Sequence, residues 1–309
     1  MRSQNNKQKP LSKRGKKTSK NSKAKGGQSK TSKPHPKPPE SGESHNQKAA
    51  SKAGHSSQPS AQQDTSPKGL WLYGRHSVAA ALRNPRRQFH DIHVTRQGGR
   101  WLVDQGLQSA LFEQKANDIH PEALDALLPP GSVHQGVAAL VAPLEAPSLE
   151  DLDTYAPGNG PIIILDQITD PQNIGAIYRV AAAFGARAII VQDRRTPPLA
   201  GALAKAAAGT IELLPCIEVV NIARTITAIK EMNYFCIGLA GEGGAAISNH
   251  HQTDQVALVL GSEGSGLRPL VAKTCDTLAS IPINAQVESL NVSTATAIAL
   301  YALTQADEK

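Results

Sequence analysis

Three short polar clusters in the second half of the chain hold the residues whose types and spacing could do chemistry. The first, TDPQNIGAIYR, contains Asn173 and Arg179 on a helix predicted from Pro171 to about Phe184, with Asp170 as its N-cap. On an ideal helix a six-residue spacing places two side chains about 120° apart, so both can border one pocket. The alternatives are an asparagine that binds free first-turn amides and an arginine paired with a surface acid.

The second cluster is a glycine-rich turn, GSEGSGL, directly after an apolar strand predicted over 256–260. Its glycines, Gly261, Gly264 and Gly266, allow positive φ angles and a close approach of backbone amides to a ligand. Glu263 is the carboxylate within this turn. The turn matches neither the dinucleotide-binding nor the P-loop pattern, and a tight turn at a strand end is the alternative explanation.

The third cluster is a polar loop and the helix that follows it, IPINAQVESLNVSTATAIALY. The helix is predicted from Asn291 to Leu303, and its small and apolar composition indicates burial. Ser289 and Asn291 stand where helix N-caps occur, so capping remains an alternative to a role in a site.

The segments around these clusters predict a parallel sheet covered on both faces. Near-continuous apolar strands alternate with helical segments, which is the pattern of an α/β domain. The predicted strands cover residues 162–165, 188–192, 234–240, 256–261 and 278–283.

A smaller α/β domain is predicted over residues 70–142, followed by a proline-containing linker over 143–160 and the larger domain over 161–309. The predicted elements of the small domain are a helix at 76–82, a strand at 91–95, helices at 102–115 and 121–128, and a strand at 136–142.

Residues 1–68 differ from the rest in charge. They hold 16 Lys and Arg against 3 acidic residues, whereas the remaining residues hold 17 Lys and Arg against 23 acidic residues. With almost nothing apolar, the segment is predicted to be a disordered basic tail. It would attract RNA through counterion release, or it is a solubility tail or linker without a binding role.

The cysteines and the apolar runs exclude other classes of protein. Cys216, Cys236 and Cys275 lie far apart, which predicts buried thiols in a reducing cytosol and neither disulfides nor a metal site. No run of 18 apolar residues is present, so no membrane association is predicted. A bacterial cytoplasmic location is expected, and an organellar one stays open because the tail is rich in Lys and Ser.

Taken together and in this order, the three clusters resemble the motifs of the SpoU (TrmH) class of the SPOUT superfamily, which are RNA 2′-O-ribose methyltransferases. Asn173, Ile174, Gly175 and Arg179 match the first motif, residues 258–267 the second, and residues 281–301 the third. Residues 73–82 and 132–140 also resemble the substrate-binding domain of the branch that methylates a guanosine in the peptidyl-transferase region of large-subunit (23S) rRNA.

This resemblance implies a parallel α/β domain with a trefoil knot, preceded by a small domain like ribosomal protein L30. It also implies a homodimer that acts on RNA with S-adenosylmethionine as cofactor and no metal. The residues implied to bind the cofactor are Leu260, Gly261, Gly266, Ile281, Ile283 and Leu290.

The resemblance assigns catalysis to Arg179, with Asn173, Glu263, Ser289 and Asn291 shaping the site. Because arginine stays protonated, we expect it to clamp the adjacent phosphate and polarise the ribose oxygen while a phosphate oxygen or water takes the proton. RNA phosphates are expected to contact basic residues of the small domain, chiefly Arg75, His76, Arg86 and Arg87, with Arg83, Arg96 and Arg100 as further candidates.

Two other functions remain compatible with these residues. One is a tRNA ribose methyltransferase of the same class, because RNA specificity depends on shape contacts that a sequence does not display. The other is a non-catalytic RNA-binding or ribosome-assembly protein that keeps the fold. The joint presence of all five residues of the catalytic set favours the enzyme.

Overall fold

The computed structural model describes residues 69–156, 158–241, 244–250 and 255–304. The predicted basic tail, 1–68, lies outside the described residues. The described chain forms two sheets, one of four strands and one of seven. The first sheet lies within residues 70–141, called the small domain below, and the second within residues 162–280, called the large domain.

The small domain is a four-stranded sheet with strand order β1-β4-β2-β3. Both partners of β4 are antiparallel to it, whereas β3 pairs parallel to β2. Its elements are β1 (Leu70–Tyr73), α1 (Arg75–Arg83), β2 (Phe89–Val94), α2 (Arg96–Asp104), α3 (Gln108–Glu113), β3 (Asn117–Asp118), α4 (Pro121–Leu127) and β4 (Val137–Val141).

The helix predicted over 102–115 is two helices in the structure. The first, α2, already begins at Arg96, because the Thr95 side chain accepts a hydrogen bond from the Gly98 amide and caps it. It ends before Gly106, whose φ of 76° lies in the left-handed region that interrupts a helix. The apolar pattern alone did not reveal this break.

The large domain is a seven-stranded, fully parallel sheet with order β7-β6-β5-β10-β8-β11-β9. Its strands are β5 (Ile162–Asp166), β6 (Ala188–Gln192), β7 (Cys216–Val219), β8 (Phe235–Leu239), β9 (Ala245–Ala246), β10 (Val256–Gly261) and β11 (Thr277–Ser280). The predicted parallel α/β class is therefore confirmed.

Helices accompany this sheet along the chain. They are α5 (Leu152–Tyr155), α6 (Pro171–Ala183), α7 (Gly201–Ala207), α8 (Ile222–Glu231), α9 (Pro269–Thr274) and α10 (Val292–Thr304). Within the described ranges, no helix is both long and apolar enough to cross a membrane.

Four details of the large domain and the predicted linker differ from the sequence prediction. The strand β7 was missed, because its four residues include an exposed Glu218 that interrupts the apolar run. The strand β9 was missed because it has only two residues. The last predicted strand ends at Ser280 rather than at 283, which leaves the following residues as a loop. The predicted linker contains α5, where Asp153 binds Arg187 at 2.6 Å.

The two domains share one continuous apolar core. Leu72 of the small domain and Ile163 of the large domain belong to the same buried cluster. Across the boundary the Ser77 hydroxyl donates to the Ala204 carbonyl at 2.8 Å. Because burial of a shared core opposes separation of the parts, the domains are packed together rather than joined only by the linker.

Candidate active site

The candidate site lies where three neighbouring strands end. From β5 the chain builds β6 and β7 on one side of the sheet, then crosses to place β8 on the other, with β10 between β5 and β8. In open α/β sheets, ligands bind outside the carboxyl ends of the strands at such a reversal. The first and second sequence clusters follow β5 and β10.

A cavity of about 320 Å³ opens at the ends of β8 and β10. All six residues predicted to bind the cofactor lie on its wall: Leu260, Gly261, Gly266, Ile281, Ile283 and Leu290. The wall also includes Glu263 and Ser289 of the predicted catalytic set. The second and third clusters, apart in sequence, therefore form one pocket.

The glycine-rich turn is folded back on itself beside this cavity. Gly266 has a φ of 64° and donates its amide to the Ser262 carbonyl at 2.9 Å. A Cβ on Gly261 would overlap the backbone of Gly266, so the turn needs glycine at both positions. The tight-turn explanation and the cavity explanation both hold for this segment.

A buried carboxylate anchors the far end of the same turn. The fully buried Asp166, the last residue of β5, accepts hydrogen bonds from the Arg268 backbone amide at 3.0 Å and from its Nε at 2.7 Å. The Arg268 Nη2 completes the ion pair at 2.6 Å. Charge-assisted bonds of this kind are strong and directional, so they fix the turn relative to β5.

Three predicted residues meet in a hydrogen-bond network at the cavity. Glu263 Oε1 accepts from Asn173 Nδ2 at 2.8 Å and from Asn291 Nδ2 at 2.9 Å. Asn291 Nδ2 also donates to Asn173 Oδ1 at 2.8 Å. One residue from each sequence cluster therefore contributes to a single polar group, and each amide orientation is held by two partners.

The capping interpretations are correct for two residues without excluding a role in the site. Asp170 caps α6 by accepting from the amides of Gln172 and Asn173. The Asn291 Oδ1 accepts from the Ser293 amide at 2.9 Å and caps α10, while its Nδ2 joins the network. Ser289 is exposed on the cavity wall and caps no helix.

The structure does not bring Arg179 to the cavity of its own chain. Its side chain is exposed on α6 and is absent from the cavity wall. Within the part of the chain that the structure describes, its guanidinium has no hydrogen bond or ion pair. The expectation that Asn173 and Arg179 border one pocket is therefore not met within one chain.

The basic residues of the small domain fall into different environments. The Arg75 guanidinium lies 5.7 Å from the Trp101 ring centre and donates to the Gln135 carbonyl, and the exposed His76 packs edge-on against the same ring. Arg86 is exposed and lies 6.0 Å from the ring centre of Tyr155.

Arg87 requires a correction. Its side chain is 2% exposed and pairs at 2.6 Å with Glu212 of the large domain, whose side chain is 3% exposed. A second guanidinium nitrogen donates to the Ala142 carbonyl, and Asn84 also donates to Glu212. Arg87 is therefore a buried link between the domains, and the expectation that it contacts RNA is wrong.

Sequence reasoning missed part of the cavity wall. Leu239 ends β8, Ala240 and Gly241 follow it, and Glu288 lies in the loop before α10. The signal available was the small pair Ala240 and Gly241 directly after an apolar strand, because strands next to β10 end at the same edge. Nothing in the sequence alone placed β8 beside β10.

The cysteines take no part in the site. All three are free and buried, as predicted. Burial raises the pKa of the Cys216 and Cys236 thiols from 9.0 to about 12, and that of Cys275 to about 11. Among the described residues, no group of three or more His, Cys, Asp or Glu side chains is arranged to hold a metal.

Two family profiles match this chain in tandem. The profile of the SpoU rRNA Methylase family matches residues 160–301. The profile described as RNA 2′-O ribose methyltransferase substrate binding matches residues 71–147. The first covers the large domain with its cavity, and the second covers the small domain.

Curated relatives match across both domains. The 23S rRNA (guanosine-2′-O-)-methyltransferase RlmB of Photobacterium profundum is 42% identical over 237 residues, which are 74% of this chain and 95% of that protein. The protein of the same name from Escherichia coli K12 is 38% identical over 240 residues, again 74% of this chain and 96% of that protein.

Solved structures share the fold. The SpoU methyltransferase AviRb from Streptomyces viridochromogenes, in complex with AdoMet, superposes with a TM-score of 0.63 at 20% identity over 77% of this chain and 90% of that chain. The AdoMet-bound rRNA methyltransferase from Sinorhizobium meliloti superposes with a TM-score of 0.63 at 20% identity over 77% of this chain and 87% of that chain.

Proposed function

The chain belongs to the SpoU rRNA methylase family, and from this premise we propose that it transfers a methyl group from S-adenosylmethionine to the ribose 2′-hydroxyl of a guanosine in 23S rRNA. The observation that carries the proposal is the network of Asn173, Glu263 and Asn291 beside a cavity walled by the second and third motifs. A binding protein that merely kept the fold would not need these polar groups to be held in place.

The cavity suits S-adenosylmethionine in size and in chemistry. Its volume falls in the range of about 300–1,000 Å³ that is usual for small-molecule sites. Leu260, Ile281 and Leu290 offer apolar contacts to a planar base, and Glu263 and Glu288 offer negative charge to a cationic ligand. When bound, this cofactor supplies a methyl group already activated by the neighbouring positive sulfur.

The chain's own residues then have separate tasks. The Asn173–Glu263–Asn291 network keeps three polar side chains in fixed orientation where the ribose must enter, which lowers the entropic cost of alignment. Ser289 lies on the same wall. Arg179 clamps the phosphate next to the target ribose and polarises its oxygen, and a phosphate oxygen or water accepts the proton.

A homodimer would reconcile this role with the exposed position of Arg179. Tyr301 is 57% exposed and Ile298 39% exposed on α10, which is otherwise an apolar helix that packs against α6. Burial of such residues against a second copy would be favourable. We expect the dimer to place Arg179 of one copy at the cavity of the other.

Further family properties remain expectations for this chain. We expect the trefoil knot in the large domain, the L30-like small domain as the rRNA-binding part, and a bacterial cytoplasmic location. The sequence match of the small domain to a substrate-binding profile supports the second expectation.

The test is transfer of labelled methyl from S-adenosylmethionine to bacterial 23S rRNA and to tRNA, with wild type compared with Arg179→Ala. The product is mapped by reverse transcription that stops at 2′-O-methylated positions. We expect label at one 23S guanosine that is lost in the variant. Label in tRNA alone would overturn the substrate, and no label in rRNA, tRNA or pre-ribosomal particles would overturn the enzymatic function.

A further inference from the structure

The small domain carries a second, larger depression far from the polar network in sequence. Its volume is about 940 Å³, and it is walled by the end of β2, by α2 and α3, and by residues of β3 and the start of α4. The apolar part of its wall is formed by Val103, Leu111, Phe112, Ala116 and Ile119. We refer to it as the α2–α3 groove.

One aromatic side chain on the wall of this groove is exposed to solvent. Phe112 is 85% exposed, the highest value among the large apolar residues of the described chain. It forms no ring contact among the described aromatic residues, unlike Trp101, which meets His76. Burying such a ring stabilises a complex, so its exposure on a groove wall indicates a binding surface.

Two arginines line the same groove. Arg96 and Arg100 are one turn apart on α2 and both are exposed. Among the described residues, neither guanidinium has a hydrogen bond or ion pair. Asp118 is the carboxylate on the described groove wall, and His120 adds an imidazole ring. The groove therefore combines an open aromatic face with an excess of uncompensated positive charge.

Three other arginines of this domain contrast with that pair. Arg75 is held by the Gln135 carbonyl and the Trp101 ring, and Arg83 donates to the Gln105 carbonyl. Arg87 is buried against Glu212. The guanidinium groups of Arg96 and Arg100 have no partner among the described residues, so all their donors can bind an external anion.

We propose that the α2–α3 groove binds an unpaired segment of RNA, with a base stacked on Phe112 and the flanking phosphates bound by Arg96 and Arg100. The proposal rests on the proposed function only in taking RNA as the partner. Single-stranded RNA is recognised by stacking on aromatic rings together with cationic contacts to the backbone, which is the combination in this groove.

The first experiment measures binding of the full chain to a fluorescein-labelled, unstructured oligoribonucleotide of about ten nucleotides by anisotropy. Phe112→Ala should weaken binding about tenfold, because stacking contributes roughly 1–3 kcal/mol per base, and Phe112→Trp should retain it. The matched control is Leu213→Ala in the large domain, where Leu213 is 69% exposed. A fully paired duplex should respond little to Phe112→Ala.

The second experiment follows the salt dependence of the same binding. The double variant Arg96→Gln with Arg100→Gln should make the negative slope of log K against log salt shallower by about 1.4, since each phosphate contact in a single strand contributes about −0.7. Arg224→Gln, at an exposed arginine of α8, should leave the slope unchanged. Every variant carries the same basic segment, 1–68, so the chains compared differ only at the substituted residues.

The outcomes separate this proposal from the proposed function. The proposed role of the groove would be wrong if Phe112→Ala changed RNA affinity no more than Leu213→Ala and the arginine double variant left the salt slope unchanged. That result would hold even if 23S rRNA is methylated. If the same variants weaken binding of an acidic decapeptide as much as they weaken binding of RNA, the groove is a protein-docking surface instead. The predicted losses in a chain that methylates no rRNA would support the groove while the enzymatic proposal fails.

Discussion

The cavity of the large domain and the α2–α3 groove of the small domain differ in whether their polar side chains have partners within the described structure. Around the cavity, Asn173, Glu263 and Asn291 bind one another, and the turn is anchored through Asp166. In the groove, Arg96 and Arg100 have no partner among the described residues. The first arrangement fixes geometry before a ligand arrives, whereas the second leaves donors free for a polyanion.

This contrast suggests a division of labour. Chemistry needs atoms placed to within a fraction of an ångström, so its polar groups are tied together. Capture of a long anionic chain needs charge and an open surface, and its contacts need less precise positions. The buried pair Arg87–Glu212 joins the two regions, so the arrangement of one relative to the other is also fixed.

The largest expected effect comes from removing the Arg87–Glu212 ion pair between the two domains. Arg87→Ala should lower the free energy of unfolding by about 3–5 kcal/mol, because it leaves the Glu212 carboxylate buried without a positively charged partner. The measurement is urea unfolding, with Arg86→Ala at the exposed neighbour as control and an expected change within about 0.5 kcal/mol. Similar small losses in both variants would show that the junction does not stabilise the chain.

The next largest effect concerns the cavity. Glu263→Ala should reduce kcat/KM for methyl transfer about 100-fold, because Asn173 and Asn291 lose the acceptor that orients both amides. Stability should change little, since Glu263 is exposed. Glu231→Ala, at an exposed glutamate that ends α8, is the control. Activity retained within twofold or so of wild type would remove the network from the mechanism.

A smaller effect is expected at Arg179. Arg179→Lys should lower kcat/KM about tenfold or more, because lysine cannot replace a bidentate guanidinium. Affinity for S-adenosylmethionine, measured by calorimetry, should be unchanged, since the role proposed for Arg179 is to bind the RNA phosphate and not the cofactor. A lysine variant that keeps most of its activity would count against the phosphate clamp.

The same residue allows a test of the dimer. Co-expressed Arg179→Ala and Asn291→Ala chains should recover about a quarter of wild-type activity, because half of randomly formed dimers are mixed and each has one complete site. If Arg179 serves the cavity of its own chain, the mixture stays inactive.

The smallest effect is a dependence of stability on alkaline pH. Burial raises the pKa of the Cys216 thiol from 9.0 to about 12, so the unfolded chain ionises first as the pH rises. The stability from keeping this thiol neutral is fully present below pH 9 and is lost between about 9 and 12. Wild type should lose about 1 kcal/mol more than Cys216→Ala between pH 8 and about pH 10. Equal losses would show that the thiol is accessible in the folded chain.

Local signals in the sequence predicted local structure well. Asp170 followed by proline marked the start of α6, and the glycines after β10 marked a turn beside a cavity. The family motifs selected Asn173, Glu263 and Asn291, which the structure brings within hydrogen-bond distance. Caps and turns depend on neighbouring residues, so a sequence can reveal them.

Features that depend on distant partners were beyond the sequence. Arg86 and Arg87 are adjacent and chemically identical, yet one is exposed and the other is buried against Glu212, 125 residues away. The position of Arg179 outside its own cavity depends on the direction of α6 in the assembled sheet. Leu239 and Gly241 joined the cavity only because β8 pairs with β10.

The polar network also has a consequence for the timing of folding. Its bonds join residues separated by 90, 118 and 28 positions along the chain. Such long-range contacts form only after the entropic cost of closing large loops has been met. Because Asn291 and α10 follow Asn173 and Glu263 in the chain, they are the last part of the network to leave the ribosome, and the network stays incomplete until α10 docks. With the role proposed for this network, methyl transfer begins only when folding is complete.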